Sequence, residues 1–421
     1  MSLRAFRIGA AIRRLLVPAA VVAVLLPAAP AASAARAVPP IDQPGGLDAG
    51  SCLPPSATVA AEKPWAQRRL TPERVWPLTT GAGVTVAVVD TGVDASVPQL
   101  AGRVLPGADV WSPKGTGNSD CLGHGTFVAG IIAAAPRTGS GLVGVAPEAV
   151  ILPVRQSNDR GEGSAEGLAR AIRYAADAGV RVINVSLSSF YSTAALVDAV
   201  RYAEERDVVV VAAASNEGAN GNPVAYPAAY PTVLAVAALD PSEKASTFSA
   251  SGHHISLAAP GIDVVSTGPR GAGHYVGSGT SYAAPFVSGV AALVRARFPH
   301  LTAAQVRERI TRTADHPSRI LPDDGLGWGV VNPYAAVATE VLPGDGTGPV
   351  TAIRGADLGP ITAAPDDDGS TLLALLAVAV GLTALGVAIA VRVVTPAGQA
   401  RRWRAAGHAS PRTSSRRRTD E

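Results

Sequence analysis

The sequence predicts an α/β domain, a mostly parallel central sheet with helices on both faces. Three observations predict it. Short β-branched apolar runs alternate with Ala-rich segments of helical spacing, the mark of strands joined by crossover helices. The runs are continuously apolar, as strands covered on both faces require. The chain of 421 residues is 47% hydrophobic and 16% charged, so it can bury a sizeable core.

The elements follow in order. Residues 35–63 are rich in Pro, Gly and Ala without periodicity and read as an irregular arm. Folded patterning starts near Trp65 and defines a domain over residues 64–341. Residues 84–89 form an apolar run that ends at Asp90, a buried strand. Residues 126–135 read as a helix and 150–154 as a strand. Residues 165–178 read as a helix with Leu168, Ile172 and Ala175 on one face. Residues 180–187 are the next strand, 194–205 a helix and 208–213 a strand. Further strands are expected at 233–238 and 255–258. A helix is expected from Ser281, with Pro285 in its first turn, where a missing N–H does no harm. Residues 302–314 form another helix, capped by Thr302, and 335–341 a last one.

The two ends of the chain carry most of its positive charge. Taking the four arginines of residues 4–14 and the net +6 of residues 392–421 from the overall +3 leaves −7 on residues 15–391. That balance does not indicate a basic nucleic-acid surface. Arg4 to Arg14, an apolar stretch at 15–26 and Ala32-Ser33-Ala34 read as a signal peptide over residues 1–34. An uncleaved anchor fits less well, because Pro18, Pro27 and Pro30 break the apolar run. Residues 342–370 are a Pro/Gly/Asp-rich linker, and a metal site from Asp366-Asp367-Asp368 is not expected. Residues 371–394 read as a transmembrane helix, since 372–391 carry no charge. The basic tail, 395–421, is then cytoplasmic and the domain extracytoplasmic at the cell membrane. Cys52 and Cys121 leave two readings open, one disulfide or two separate buried thiols.

Three stretches carry chemistry. Asp90 ends a buried strand in Val88-Val89-Asp90-Thr91-Gly92-Val93. His124 opens a helix in Gly123-His124-Gly125-Thr126-Phe127-Val128-Ala129-Gly130. Ser281 follows Gly277 and Gly279 and opens an apolar helix, where the dipole favours developing negative charge. Ligands of open α/β sheets bind beyond the carboxyl ends of the strands, which makes the three plausible neighbours. A serine hydroxyl needs a base, histidine is a base near neutral pH, and a carboxylate fixes its tautomer. Esterases of the α/β-hydrolase type run Ser, Asp, His around Gly-x-Ser-x-Gly, whereas this chain runs Asp, His, Ser around Gly-Thr-Ser. Asn216, in Ala214-Ser215-Asn216-Glu217-Gly218, is the candidate oxyanion donor with the Ser281 N–H; taken alone it also reads as a turn residue.

Together these motifs resemble the subtilisin-like serine proteases over roughly residues 65–340. The resemblance implies their three-layer fold and an endopeptidase that uses Asp90, His124 and Ser281. By the same resemblance Ser186, Leu187 and Ser188 line the cleft, with Ser188 where the family often has glycine. Gly161 and Gly163 belong to the facing substrate loop. A peptide would lie extended along that edge. The order of signal peptide, short arm, protease domain, linker, membrane helix and basic tail is similar to the mycosins, proteases of type VII secretion systems. That narrower resemblance implies an arm tied to the domain through Cys52 and Cys121, and a secretion complex as partner. A scaffold role with dispensable proteolysis, or a general surface protease, are the competing readings. No cofactor is expected. His253-His254 is not expected to share an ion, since adjacent strand residues face opposite ways. His274 reads as a surface residue, and Glu217 as a pocket residue or half of a salt bridge.

Overall fold

Hydrophobic periodicity and sheet register together explain the architecture. The computed structural model describes residues 37–41, 51–112, 115–317 and 320–340. The predicted signal peptide, linker, membrane helix and tail lie outside the described residues. The chain divides into two units, Met1–Asp345 and Gly346–Glu421, and every described residue belongs to the first.

In chain order the elements are α1 (Trp65–Leu70), β1 (Thr85–Asp90), β2 (Ala108–Asp109), α2 (His124–Ala133), β3 (Val150–Arg155), α3 (Ala165–Asp177), β4 (Val182–Val185) and α4 (Ala194–Glu205). Then follow β5 (Val209–Ala213), β6 (Val233–Leu239), β7 (Leu257–Pro260), β8 (Val264–Thr267), β9 (His274–Gly277), α5 (Thr280–Arg297), α6 (Ala303–Arg312) and α7 (Pro333–Ala338). Seven strands form one parallel sheet in the order β2-β3-β1-β4-β5-β6-β7. Strands β8 and β9 pair separately as an antiparallel hairpin.

Side chains along each strand alternate between two cores. Val86 and Val88 of β1 join the core under α2 and α5. Ala87 and Val89 join the core under α3 and α4. This period of two, repeated on β4 and β5, makes three layers of helix, sheet and helix. Helix α3 buries Leu168, Ile172 and Ala175 as its spacing requires. Thr302 caps α6 with a full capping box, Gln305 reciprocating.

Several boundaries differ from expectation, each for a local reason. The strand predicted at 180–187 is only Val182–Val185, and Ser186 to Ser188 continue beyond it without ladder bonds. The strand predicted at 255–258 is Leu257–Pro260, so His253 and His254 sit in a turn, not on a strand. His253 there pairs with Asp324 at 3.1 Å. The last helix starts at Pro333, because Asn332 accepts the Ala335 N–H and caps it. Pro285 lies inside α5, well past the first turn. The i−4 carbonyl it leaves unbonded belongs to Ser281, and the Ser186 hydroxyl donates to it at 3.2 Å. The short α1 and β2 and the β8–β9 hairpin had no clear periodic signal.

The arm is joined to the domain through its backbone. Residues 51–63 form no regular element apart from bends, yet Leu53 N–H donates to Cys121 O at 2.8 Å and Gly141 N–H to Ala60 O at 2.9 Å. Ile41 N–H donates to Val276 O, and Val276 N–H to Pro39 O. His274 is fully buried beneath this arm, which corrects its surface assignment. Its Nδ1 accepts from Ala60 N–H at 3.0 Å and its Nε2 faces Gln99 Oε1 at 2.7 Å.

Candidate active site

Parallel register puts the ends of β1, β3, β4 and β5 on one edge of the sheet. Because β1 lies between β3 and β4, the loops after β3 and β4 flank Asp90 on either side and leave a cleft above it. Gly161 and Gly163 lie in the first loop. Gly161 adopts φ +77, a conformation glycine tolerates without strain, and donates its N–H to Asn158 O. Gly163 rests on the buried side chain of Gln156. On the other side Leu187 is half-buried and Ser188 exposed, while Ser186 is buried. The Ser186 hydroxyl therefore serves the protein interior: it accepts from Asn184 Nδ2 at 2.8 Å and donates to Ser281 O.

Helix ends aim the central residues. Gly123 caps α2 with φ +82, a left-handed conformation, and it packs so closely on Leu53 that a Cβ would approach Leu53 Cδ2 to 2.6 Å. Having no side chain, it cannot cap the helix itself. Asp120 does so instead, accepting the Thr126 N–H on Oδ2 at 2.8 Å. Thr91 Oγ accepts the Gly125 N–H at 3.0 Å. His124 is thereby fixed as the first residue of α2, with its ring 5.1 Å from that of Tyr282.

Asp90, His124 and Ser281 converge although the first and last stand 191 positions apart. His124 Nδ1 lies 2.7 Å from Asp90 Oδ1, and His124 Nε2 lies 3.0 Å from Ser281 Oγ. Asp90 is 0% exposed, His124 1% and Ser281 5%, so these contacts are shielded from solvent. The Thr91 N–H also donates to Asp90 Oδ1 at 2.7 Å. Burial on its own disfavours the charged imidazole. The Asp90 charge and hydrogen bond, with Asp120 adding its charge, outweigh it and hold the His124 pKa above the usual 6.5.

Asn216 follows β5 and is oriented by α5. Its Oδ1 accepts the Thr280 N–H at 2.8 Å and the Thr280 hydroxyl at 2.9 Å. The oxygen is thus committed, and the Nδ2 donors turn the other way. A Cβ on Gly279 would meet Ser281 Oγ at 3.0 Å and Asn216 Nδ2 at 3.3 Å, so hydroxyl and amide border one small space. The Ser281 N–H, second in its helix, has no intrahelical acceptor and so is a candidate second donor. A nucleophile, a base, a carboxylate and two N–H donors are sufficient for acyl transfer to a serine.

Cys52 and Cys121 are joined as a disulfide with Cα atoms 4.6 Å apart. Among the described residues no His/Cys/Asp/Glu group is arranged to hold a metal ion. Glu217 accepts from Asn220 Nδ2 at 2.8 Å, a neutral partner in its own loop. Sequence reasoning missed Asp120, Thr91, Asn184 and Tyr282. Two of them had a legible signal: Asp120 lies just before a helix start, and Asn184 is a polar residue inside an apolar strand.

A family model of the subtilases, described as the subtilase family of peptidases S8, matches residues 81–329. Mycosin-1 of Mycobacterium tuberculosis is 38% identical over 381 residues, covering 77% of this chain and 84% of mycosin-1. Thermitase of Thermoactinomyces vulgaris is 38% identical over 285 residues, covering 67% of this chain and 99% of thermitase. The crystal structure of MycP1 from Mycobacterium smegmatis superposes with a TM-score of 0.64 at 34% identity, covering 76% of this chain and 97% of that one. A further MycP1 structure, described as an essential component of the type VII (ESX-1) secretion system, gives a TM-score of 0.62 at 34% identity and covers 72% of this chain and 97% of that one.

Proposed function

Because the chain belongs to the subtilase family and is a subtilisin-like serine protease, we propose that Ser281, His124 and Asp90 are its catalytic triad. The observation that carries this reading is the continuous relay of 2.7 Å and 3.0 Å contacts from Asp90 through His124 to Ser281. Ser281 Oγ attacks the scissile carbonyl as His124 Nε2 takes its proton. The oxyanion is held by Asn216 Nδ2–H and the Ser281 N–H. His124 then returns the proton to the leaving amine, and the acyl-enzyme is released by water through the same steps in reverse order of roles. Asp90 holds the imidazole with Nε2 toward the serine and stabilises the imidazolium.

The substrate is an extended polypeptide lying between the 161–163 loop and residues 187–188. The described arm residues form backbone hydrogen bonds with Cys121, Gly141, His274 and Val276, none of which belongs to either wall, and this favours a cleft that the arm leaves open. The similarity to MycP1 supports a partner in a type VII secretion complex. The domain would be exported by residues 1–34 and held at the cell membrane by 371–394, with 395–421 cytoplasmic. The charge-free run at 372–391 supports that placement.

The test is Ser281→Ala in the full-length chain. It should abolish peptide cleavage, by roughly five to six orders of magnitude in kcat, together with labelling by a fluorophosphonate. Undiminished labelling would remove Ser281 from the role. A scaffold reading is favoured by the description of MycP1 as an essential component. Normal secretion in a Ser281→Ala strain, alongside failed secretion in a deletion strain, would establish it.

A further inference from the structure

Asp120 is a second buried carboxylate beside the relay, only 4% exposed. Its Oδ1 accepts from Thr91 Oγ at 2.9 Å and from the Gly123 N–H at 2.8 Å. Its Oδ2 accepts from the Thr126 N–H at 2.8 Å and from Thr126 Oγ at 2.7 Å. All four donors are neutral. No arginine or lysine among the described residues forms an ion pair with it. A buried carboxylate without a cation is expensive to keep, and a fold retains one where the charge has a use.

The charged and titratable groups around His124 are few. Strand β1 presents Asp90, the turn before α2 presents Asp120, and α5 presents the Ser281 hydroxyl and the Tyr282 ring. The imidazolium that forms during proton transfer lies within electrostatic reach of Asp120, whose charge raises the His124 pKa. Resting on the triad assignment above, we propose that Asp120 is a positioning residue for His124. Its four hydrogen bonds fix the start of α2, and its charge supports the imidazolium alongside Asp90. Burial pushes the Asp120 pKa up, against the Thr126 and Gly123 hydrogen bonds and together with repulsion from Asp90. Its support of His124 is thus withdrawn sooner on acidification than that of an ordinary carboxylate.

The experiment compares pH profiles of kcat/KM for the full-length chain and Asp120→Asn, with folding verified by a cooperative thermal melt. Asparagine keeps the shape and one acceptor but removes the charge. The acid limb should move to lower pH by roughly half a unit or more, because the base loses a stabilising negative neighbour. The kcat should fall about tenfold while KM stays within about twofold. A folded Asp120→Asn enzyme whose acid limb is unmoved overturns the proposal, whatever its kcat. If Asp120→Asn does not fold, Thr91→Val is decisive. It strips one donor from Asp120 and the acceptor from the Gly125 N–H, and unchanged kcat in that folded variant also overturns the proposal. Failure of the underlying triad reading would be separate, seen as activity surviving in Ser281→Ala.

Discussion

At the scale of single residues, commitment of one atom decides the use of another. Asn216 spends its oxygen on Thr280, and only its N–H donors remain for the cleft. Asn216→Ala should therefore lower kcat roughly 100- to 1000-fold with little change in KM, as measured on a peptide substrate. An equal loss in KM instead would mean that Asn216 binds the ground state. His274 is a different case, a histidine used for structure. Burial, with a smaller contribution from the Arg137 charge, holds its pKa down to about 4. The unfolded chain protonates near 6.5, so between pH 6.5 and 4 the unfolded state binds more protons and stability falls as pH falls. The full effect is about 3 kcal/mol, present above pH 6.5 and lost by pH 4. Urea unfolding of His274→Gln should show a shallower loss over that window, and parallel curves would assign the pH dependence elsewhere.

At the scale of elements, a buried polar line ties β4 to α5. Ser288 donates to Asn184, Asn184 to Ser186, and Ser186 to the Ser281 carbonyl that Pro285 leaves open. Alternation on β4 turns Asn184 away from Ile183 and Val185 and toward α5. Ser186→Ala should lower stability by about 1–3 kcal/mol in chemical denaturation, the penalty for stranding a buried acceptor, and lower kcat as the start of α5 loosens. Unchanged stability would mean the carbonyl finds another donor. The disulfide acts on α2, which packs beside α5 on the same face of the sheet, because Cys121 adjoins Asp120 and Leu53 packs on Gly123. With the cysteines 69 positions apart, replacing both by serine should cost about 4 kcal/mol on the chain-entropy account, read as a lower urea midpoint.

At the scale of the whole molecule, catalysis and location are assigned to separate parts of the chain. The relay lies within the parallel-sheet domain, and the proposed anchor lies beyond residue 370. Ending the chain after residue 341 should leave peptide cleavage within about twofold while releasing the enzyme from the membrane fraction, since a spanning helix is in effect an irreversible anchor. Lost cleavage would show that the C-terminal segment contributes to the domain's fold. Retained membrane association would place the anchor elsewhere.

Much of the fold and the centre of the site was legible in the chain itself. Apolar run lengths marked the principal strands of the sheet from β1 to β7 and the long helices, because burial on both faces makes polar interruptions such as Asn184 rare and in need of a partner. Asp90, His124 and Ser281 were legible because each stands at an element boundary, where backbone groups and dipoles are free to act. Thr302 was legible as a cap for the same reason. Local patterns did not reveal His274, Asp120, Ser186 or the true position of Pro285. Each owes its role to a partner far away in sequence: Ala60 for His274, Thr91 for Asp120, Ser281 for Ser186. Periodicity reports whether a side chain is buried, since that depends on the face of its own element. Which polar atom satisfies it is decided only when the sheet order brings β1 between β3 and β4 and sets α5 across them.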